Sequence, residues 1–156
     1  MNFDPPGWME SLLRQLEKEA AADALLLAPP QHPLAGELER RLPHTTLTRC
    51  APSAPLPARR FALAVAVETL ESLPAADGRA LLAALRDFEA RHVVLLVDLA
   101  RSPLGDADLR ALGFRRHADD GARALYGFEL YGYKDRPDWL NPSQWAHPEL
   151  WDKFRW

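Results

Sequence analysis

Phe61-Ala-Leu-Ala-Val-Ala-Val67 is seven apolar residues in a row. The run is far too short to cross a bilayer and has no polar alternation, which is the pattern of a strand covered on both faces. Two further runs share it: Ala24-Leu-Leu-Leu-Ala28, stopped by Pro29-Pro30, and Val93-Val-Leu-Leu-Val97. Between the second and third runs along the chain, residues 74–90 place Leu81, Leu82, Leu85 and Phe88 on one helical stripe. After the first run, residues 33–42 form a second helix, with proline at its start and Leu34, Leu38 and Leu42 four apart. Residues 45–49, Thr-Thr-Leu-Thr-Arg, then read as a short strand. Two strand–helix–strand units imply a parallel sheet with helices on both faces. The three apolar runs are expected side by side and parallel at its centre.

Outward from this core, residues 7–22 carry Trp8, Met9, Leu12, Leu13 and Leu16 at spacings of three and four, an amphipathic helix. Residues 50–60 hold three prolines and are a loop of extended character. Residues 105–112 are a short helix closed by Gly113, where a left-handed backbone costs least. Residues 114–118 and 123–133 flank Asp119-Asp120-Gly121 and form an antiparallel hairpin. The last 22 residues, 135–156, contain four of the five tryptophans and three prolines. The chain thus divides into an α/β domain with an N-terminal helix, 1–134, and a Trp/Pro-rich extension, 135–156, packed on the domain or on a partner.

A length of 156 residues suits one domain, and 47% hydrophobic with 26% charged residues excludes a disordered acidic chain. Lys and Arg number 19 against 22 Asp and Glu, so the charge balance does not favour polyanions. The doublets Arg40-Arg41, Arg59-Arg60 and Arg115-Arg116 are scattered over three segments, and nucleic acid is not expected as a partner. A lone cysteine, Cys50, excludes a disulfide framework, and five histidines in separate segments offer no metal-ligand spacing. No apolar run reaches the length of a membrane span and the first residues lack a signal-peptide pattern, so a cytoplasmic protein is expected.

The order of elements, the stretch from Phe61 through Glu68-Thr-Leu-Glu-Ser-Leu-Pro74, and Leu112-Gly113-Phe114 resemble the class I S-adenosylmethionine-dependent methyltransferases over residues 24–133. The resemblance implies a Rossmann-like three-layer sandwich with a mainly parallel sheet and an antiparallel C-terminal hairpin, here truncated because the third strand and its helices collapse into the proline loop. It also implies where a cofactor would sit, and there the residues depart from the family. The family has a glycine-rich turn after the first strand; this chain has Pro29-Pro30-Gln31-His32-Pro33. The family has a carboxylate for the ribose at the end of the second strand; this chain has Thr48, Arg49 and Cys50. The segment 135–156 has no counterpart in that family and is similar to small bacterial proteins of unknown function.

Ligands in such folds bind at the carboxyl ends of the parallel strands. The candidates there are Gln31 and His32 after the first strand, Glu68 and Glu71 after the strand ending at Val67, and Asp98 and Arg101 after the strand ending at Val97. Each has a plainer reading: a turn histidine, acids preceding a helix, an exposed ion pair at a strand exit. Trp139, Trp145, Trp151 and Trp156 are interface candidates, covering either their own domain or a second copy. With no catalytic residue or metal site assigned and no cofactor expected, the chain reads as a binding or interaction protein. The rival is a diverged methyltransferase, or another small-ligand enzyme, using the acids of the strand-end rim; only then does S-adenosylmethionine enter.

Overall fold

The computed structural model describes residues 7–19, 21–119 and 123–129. The first helix, α1 (Gly7–Glu19), leads into β1 (Asp23–Leu27), α2 (Pro33–Arg41), β2 (Thr46–Cys50) and β3 (Phe61–Val67). A short 3-10 turn (Leu70–Ser72), α3 (Ala75–Ala84) and a π-helical turn (Leu85–Glu89) connect to β4 (Ala90–Val97). α4 (Asp106–Ala111), β5 (Arg115–Asp119) and β6 (Ala124–Glu129) follow. The six strands lie in the order β2-β1-β3-β4-β6-β5. The first four are mutually parallel; β6 runs antiparallel to β4 and to β5. The three apolar runs are therefore adjacent and parallel, as their uniform hydrophobicity requires.

Alternation along the buried strands sorts side chains into two cores. Ala24 and Leu26 of β1, with Leu63, Val65 and Val67 of β3, meet Met9, Leu12, Leu13 and Leu16 of α1 and Leu34 and Leu38 of α2. Leu25 and Leu27, with Ala64, Ala66, Val93, Leu95 and Val97, meet Leu82, Leu85, Leu104 and Leu109 on the opposite face. Helix, sheet and helix form the three layers. On the second face the Phe114 and Phe128 rings lie 5.9 Å apart, a packed aromatic pair.

The helix expected over 74–90 ends early. Leu82 and Leu85 are buried and Leu81 is partly so, but Phe88 is 73% exposed. In a π-helical turn each residue advances through a smaller angle than in an α-helix, so three residues beyond Leu85 the chain has not come back to the core face. Ala90, fully buried, already pairs with Phe61 as the first residue of β4.

Residues 51–60 carry no helix or strand, and β2 is an edge strand with no fully buried residue. The start of the sheet is pinned instead by Asp23, whose Oδ1 accepts from Ala62 N at 2.8 Å and whose Oδ2 accepts from Arg59. The Arg59 guanidinium also lies 4.6 Å over the Phe61 ring. Gly113 has φ 94°, the left-handed helix ending expected of it. The hairpin strands lie one residue further on than the sequence suggests at Arg115–Asp119, with an irregularity between Arg116 and Ala118. The extension 135–156, with Trp139, Trp145, Trp151 and Trp156, lies outside the described residues.

Candidate functional site at the strand ends

The carboxyl ends of β1, β2, β3 and β4 share one rim of the sheet. The turn after β1 is built almost without amide donors. Pro29, Pro30 and Pro33 have none, and Ala28 N donates to Cys50 O at 3.3 Å. His32 N donates to Pro29 O and Ala35 N to His32 O, both at 3.2 Å. Leu34 N donates to His32 Nδ1 at 3.2 Å, so the imidazole itself caps α2. Among the described residues this leaves Gln31 N–H as the one amide of the turn without a partner, on a residue held at φ 65°.

Accepting a hydrogen bond at Nδ1 requires that nitrogen to be unprotonated, so neutral His32 carries its proton on Nε2. Nε2 lies 4.0 Å from Glu68 Oε1, and the imidazole is only 9% exposed. Burial holds its pKa below the ordinary histidine value; Glu68 pulls the other way and Arg123 reinforces the fall. Glu68 is the second non-glycine residue with a left-handed backbone among the described residues, at φ 50°. The structure thus brings Gln31, His32 and Glu68 together.

Glu71 and Asp98 form a separate pair. Glu71 Oε1 accepts from Asp98 N at 2.6 Å, while Oε2 is buried with no partner among the described residues. The contact is between a carboxylate and a backbone amide, which ties the turn after β3 to the end of β4. Thr69, 1% exposed, completes that knot: Oγ1 is 3.0 Å from Leu27 O and 3.2 Å from Val67 O, a shared donor to the ends of β1 and β3. Asp98 O accepts from Arg101 N at 3.1 Å and Ser102 N at 2.9 Å, and Asp98 Oδ1 from Ala100 N at 3.0 Å. Asp98 and Arg101 are therefore linked through the backbone of one turn, and Arg101 is exposed.

A half-open cavity of about 220 Å³ lies between the ends of β1 and β2. Leu26, Ala28 and Ala35 supply its apolar lining, Pro29, Pro30, Gln31 and His32 one wall, and Arg49, Cys50 and Ala51 the other. Among the described residues no acidic side chain lines it. Arg49, at the position where the resemblance calls for a carboxylate, donates to Glu39 of α2. Burial raises the Cys50 thiol pKa, keeping it neutral. Of the lining residues only Gln31 and His32 were singled out as site candidates from sequence; Arg49 and Cys50, the other two with polar side chains, are marked only by their position at a strand end. Thr69 and Arg123 had no signal at all, because Leu27 O and His32, which they meet, lie far away in the chain.

Elsewhere four arginines of the basic doublets make ion pairs: Arg40 with Glu37, Arg41 with Glu10, Arg59 with Asp23 and Arg116 with Asp119. Tyr126 donates to Asp106, and its own pKa is pushed up to about 12 by burial and by that carboxylate. Among the described residues no three His, Cys, Asp or Glu side chains could hold a metal ion, and no helix is long and apolar enough to cross a membrane.

This architecture is that of the S-adenosylmethionine-dependent methyltransferases. The methyltransferase domain of bacterial CtHen1 superposes with a TM-score of 0.58 at 10% identity, covering 79% of this chain and 97% of that one. The magnesium protoporphyrin IX methyltransferase ChlM of Synechocystis, with bound S-adenosylmethionine, gives 0.52 at 11% identity over 77% and 76%. A TehB-like methyltransferase of Corynebacterium glutamicum gives 0.50 at 12% over 78% and 86%. At such low identity the superpositions show a common fold and nothing about activity. No curated protein matches the sequence. Residues 8–156, through the Trp-rich end, match DUF6231, a family of unknown function, and the chain belongs to that family.

Proposed function

We infer that this chain is a methyltransferase-like binding protein, acting in the cytoplasm, that takes a small ligand in the cavity between β1 and β2 without methyl transfer. The observation that carries the reading is the turn after β1. A cofactor carboxylate there would need backbone amides, and three prolines together with the His32 cap leave Gln31 N–H alone among the described residues. A ribose diol would need an acceptor at the end of β2, where Arg49 supplies only donors. The residues present do not fit S-adenosylmethionine. The Trp-rich segment 135–156 is proposed to cover its own domain or to form the contact with a second copy or a protein partner.

Calorimetry with S-adenosylmethionine and its demethylated product tests this. No heat of binding is expected at millimolar ligand. A micromolar Kd, about −8 kcal/mol, would overturn the reading, and the same complex would add about 2.7 kcal/mol of stability at a hundredfold excess over Kd. The competing reading is a diverged enzyme using Glu68, Glu71 and Asp98. It draws on the left-handed backbone of Glu68 at the rim, a place where strain accompanies function.

A further inference from the structure

We propose that the cavity between β1 and β2 selects a small anionic ligand: a carboxylate on a compact apolar body, about the size of one ring. The inference rests on the reading above that this cavity is a binding site, and it names the chemistry of what binds. At about 220 Å³ the space falls below the roughly 300–1,000 Å³ of pockets for drug-sized molecules. It exceeds the cavity of about 150 Å³ known to take benzene, so one ring with a head group fits.

Sign follows from the lining. Arg49 is the fixed charge, and among the described residues no acid faces the space to attract a cation. Leu26, Ala28 and Ala35 offer an apolar ring only dispersion and burial. Arg49 and Gln31 both line the space; a guanidinium and a backbone N–H are donors, and a planar carboxylate is the acceptor that a guanidinium matches best. Arg49 now donates to Glu39, but both side chains are more than half exposed, at 56% and 54%. Such a pair contributes little, so the guanidinium can be shared with or transferred to a ligand. The neutral Cys50 thiol adds no opposing charge.

The test uses the full chain with benzoate, benzamide and benzylammonium as probes, each titrated by NMR. Benzoate is expected to saturate and to shift the Gln31 amide, with benzamide and benzylammonium at least about tenfold weaker. Arg49→Gln should weaken benzoate about tenfold. Glu39→Gln, which releases Arg49, should strengthen it by up to about fivefold. Both substitutions are on exposed side chains, so folding is expected to survive, and the second variant gains rather than loses affinity. Benzoate that fails to saturate, benzylammonium binding as well as benzoate, or indifference to both substitutions would overturn the proposal. Those outcomes leave the earlier reading standing, whereas micromolar S-adenosylmethionine would remove that reading itself.

Discussion

The turn after β1 and the turn after β3 leave the same edge of the sheet, and each bends through one left-handed non-glycine residue, Gln31 or Glu68. They are held in opposite ways. The first is held mainly by short-range contacts, with His32 capping its own helix, prolines removing donors and only Ala28 N reaching across to Cys50 O of β2, and it borders a half-open cavity. The second reaches outward, with Thr69 gripping the ends of β1 and β3 and Glu71 the start of the turn after β4. A turn capped by its own imidazole and poor in amide donors can border a binding space without loosening the sheet. One whose polar groups bind three strands is a structural clamp, whatever acids it carries.

The largest expected effect tests the clamp. Thr69→Val keeps the shape and deletes a buried donor, so it should cost about 1–3 kcal/mol in urea unfolding. A cost near zero would dissolve the contrast between the two turns.

Next is the cap. His32→Ala should cost about 1 kcal/mol at pH 7.5, while His32→Asn, a good cap that does not titrate, should retain most of the stability. The pH dependence has a definite sign. Because burial depresses the folded-state pKa, the unfolded chain takes up the proton first as pH falls. The His32 contribution is therefore complete above the ordinary histidine value of about 6.5 and is lost as pH falls through the folded pKa. The native protein should lose stability relative to His32→Asn between pH 7.5 and 5; parallel profiles would show that His32 is not the titrating group.

A smaller effect concerns the two left-handed residues. Gln31→Gly should relieve about 1–2 kcal/mol of backbone strain and lose about half of that to chain entropy, a net gain of a few tenths to about 1 kcal/mol. Glu68→Gly should gain less, since it also removes the carboxylate facing His32. Equal gains at both positions would mean that the carboxylate contributes nothing to the imidazole. Smallest of all, Arg101→Ala should stay within about 0.5 kcal/mol of the native protein by urea midpoint, as its role in the turn is played by its backbone.

The candidate site was legible in its location and not in its grouping. Strand ends can be read from where an apolar run stops, and that alone pointed to Gln31, His32, Glu68, Glu71, Asp98 and Arg101. Which of them meet depends on the register of β1 against β3 and β4, which turns their six positions into a Gln31–His32–Glu68 group and a Glu71–Asp98 link. Arg49 drew notice only as a missing carboxylate; its place opposite His32 across a cavity follows from the parallel pairing of β1 with β2.

By itself the sequence determined the layering and the central strands, because uniform apolar runs have no stable place except between two layers of helices. It determined Gly113 as well, since a left-handed helix end costs glycine least. Tertiary structure alone decided the exposure of Phe88, which turns on a change of helical pitch that hydrophobic spacing does not record. It also decided what the polar rim residues do. A hydrogen bond is specified by the position of both partners, and Thr69 with Leu27, Glu71 with Asp98 and His32 with Glu68 come from segments that only the folded sheet brings together.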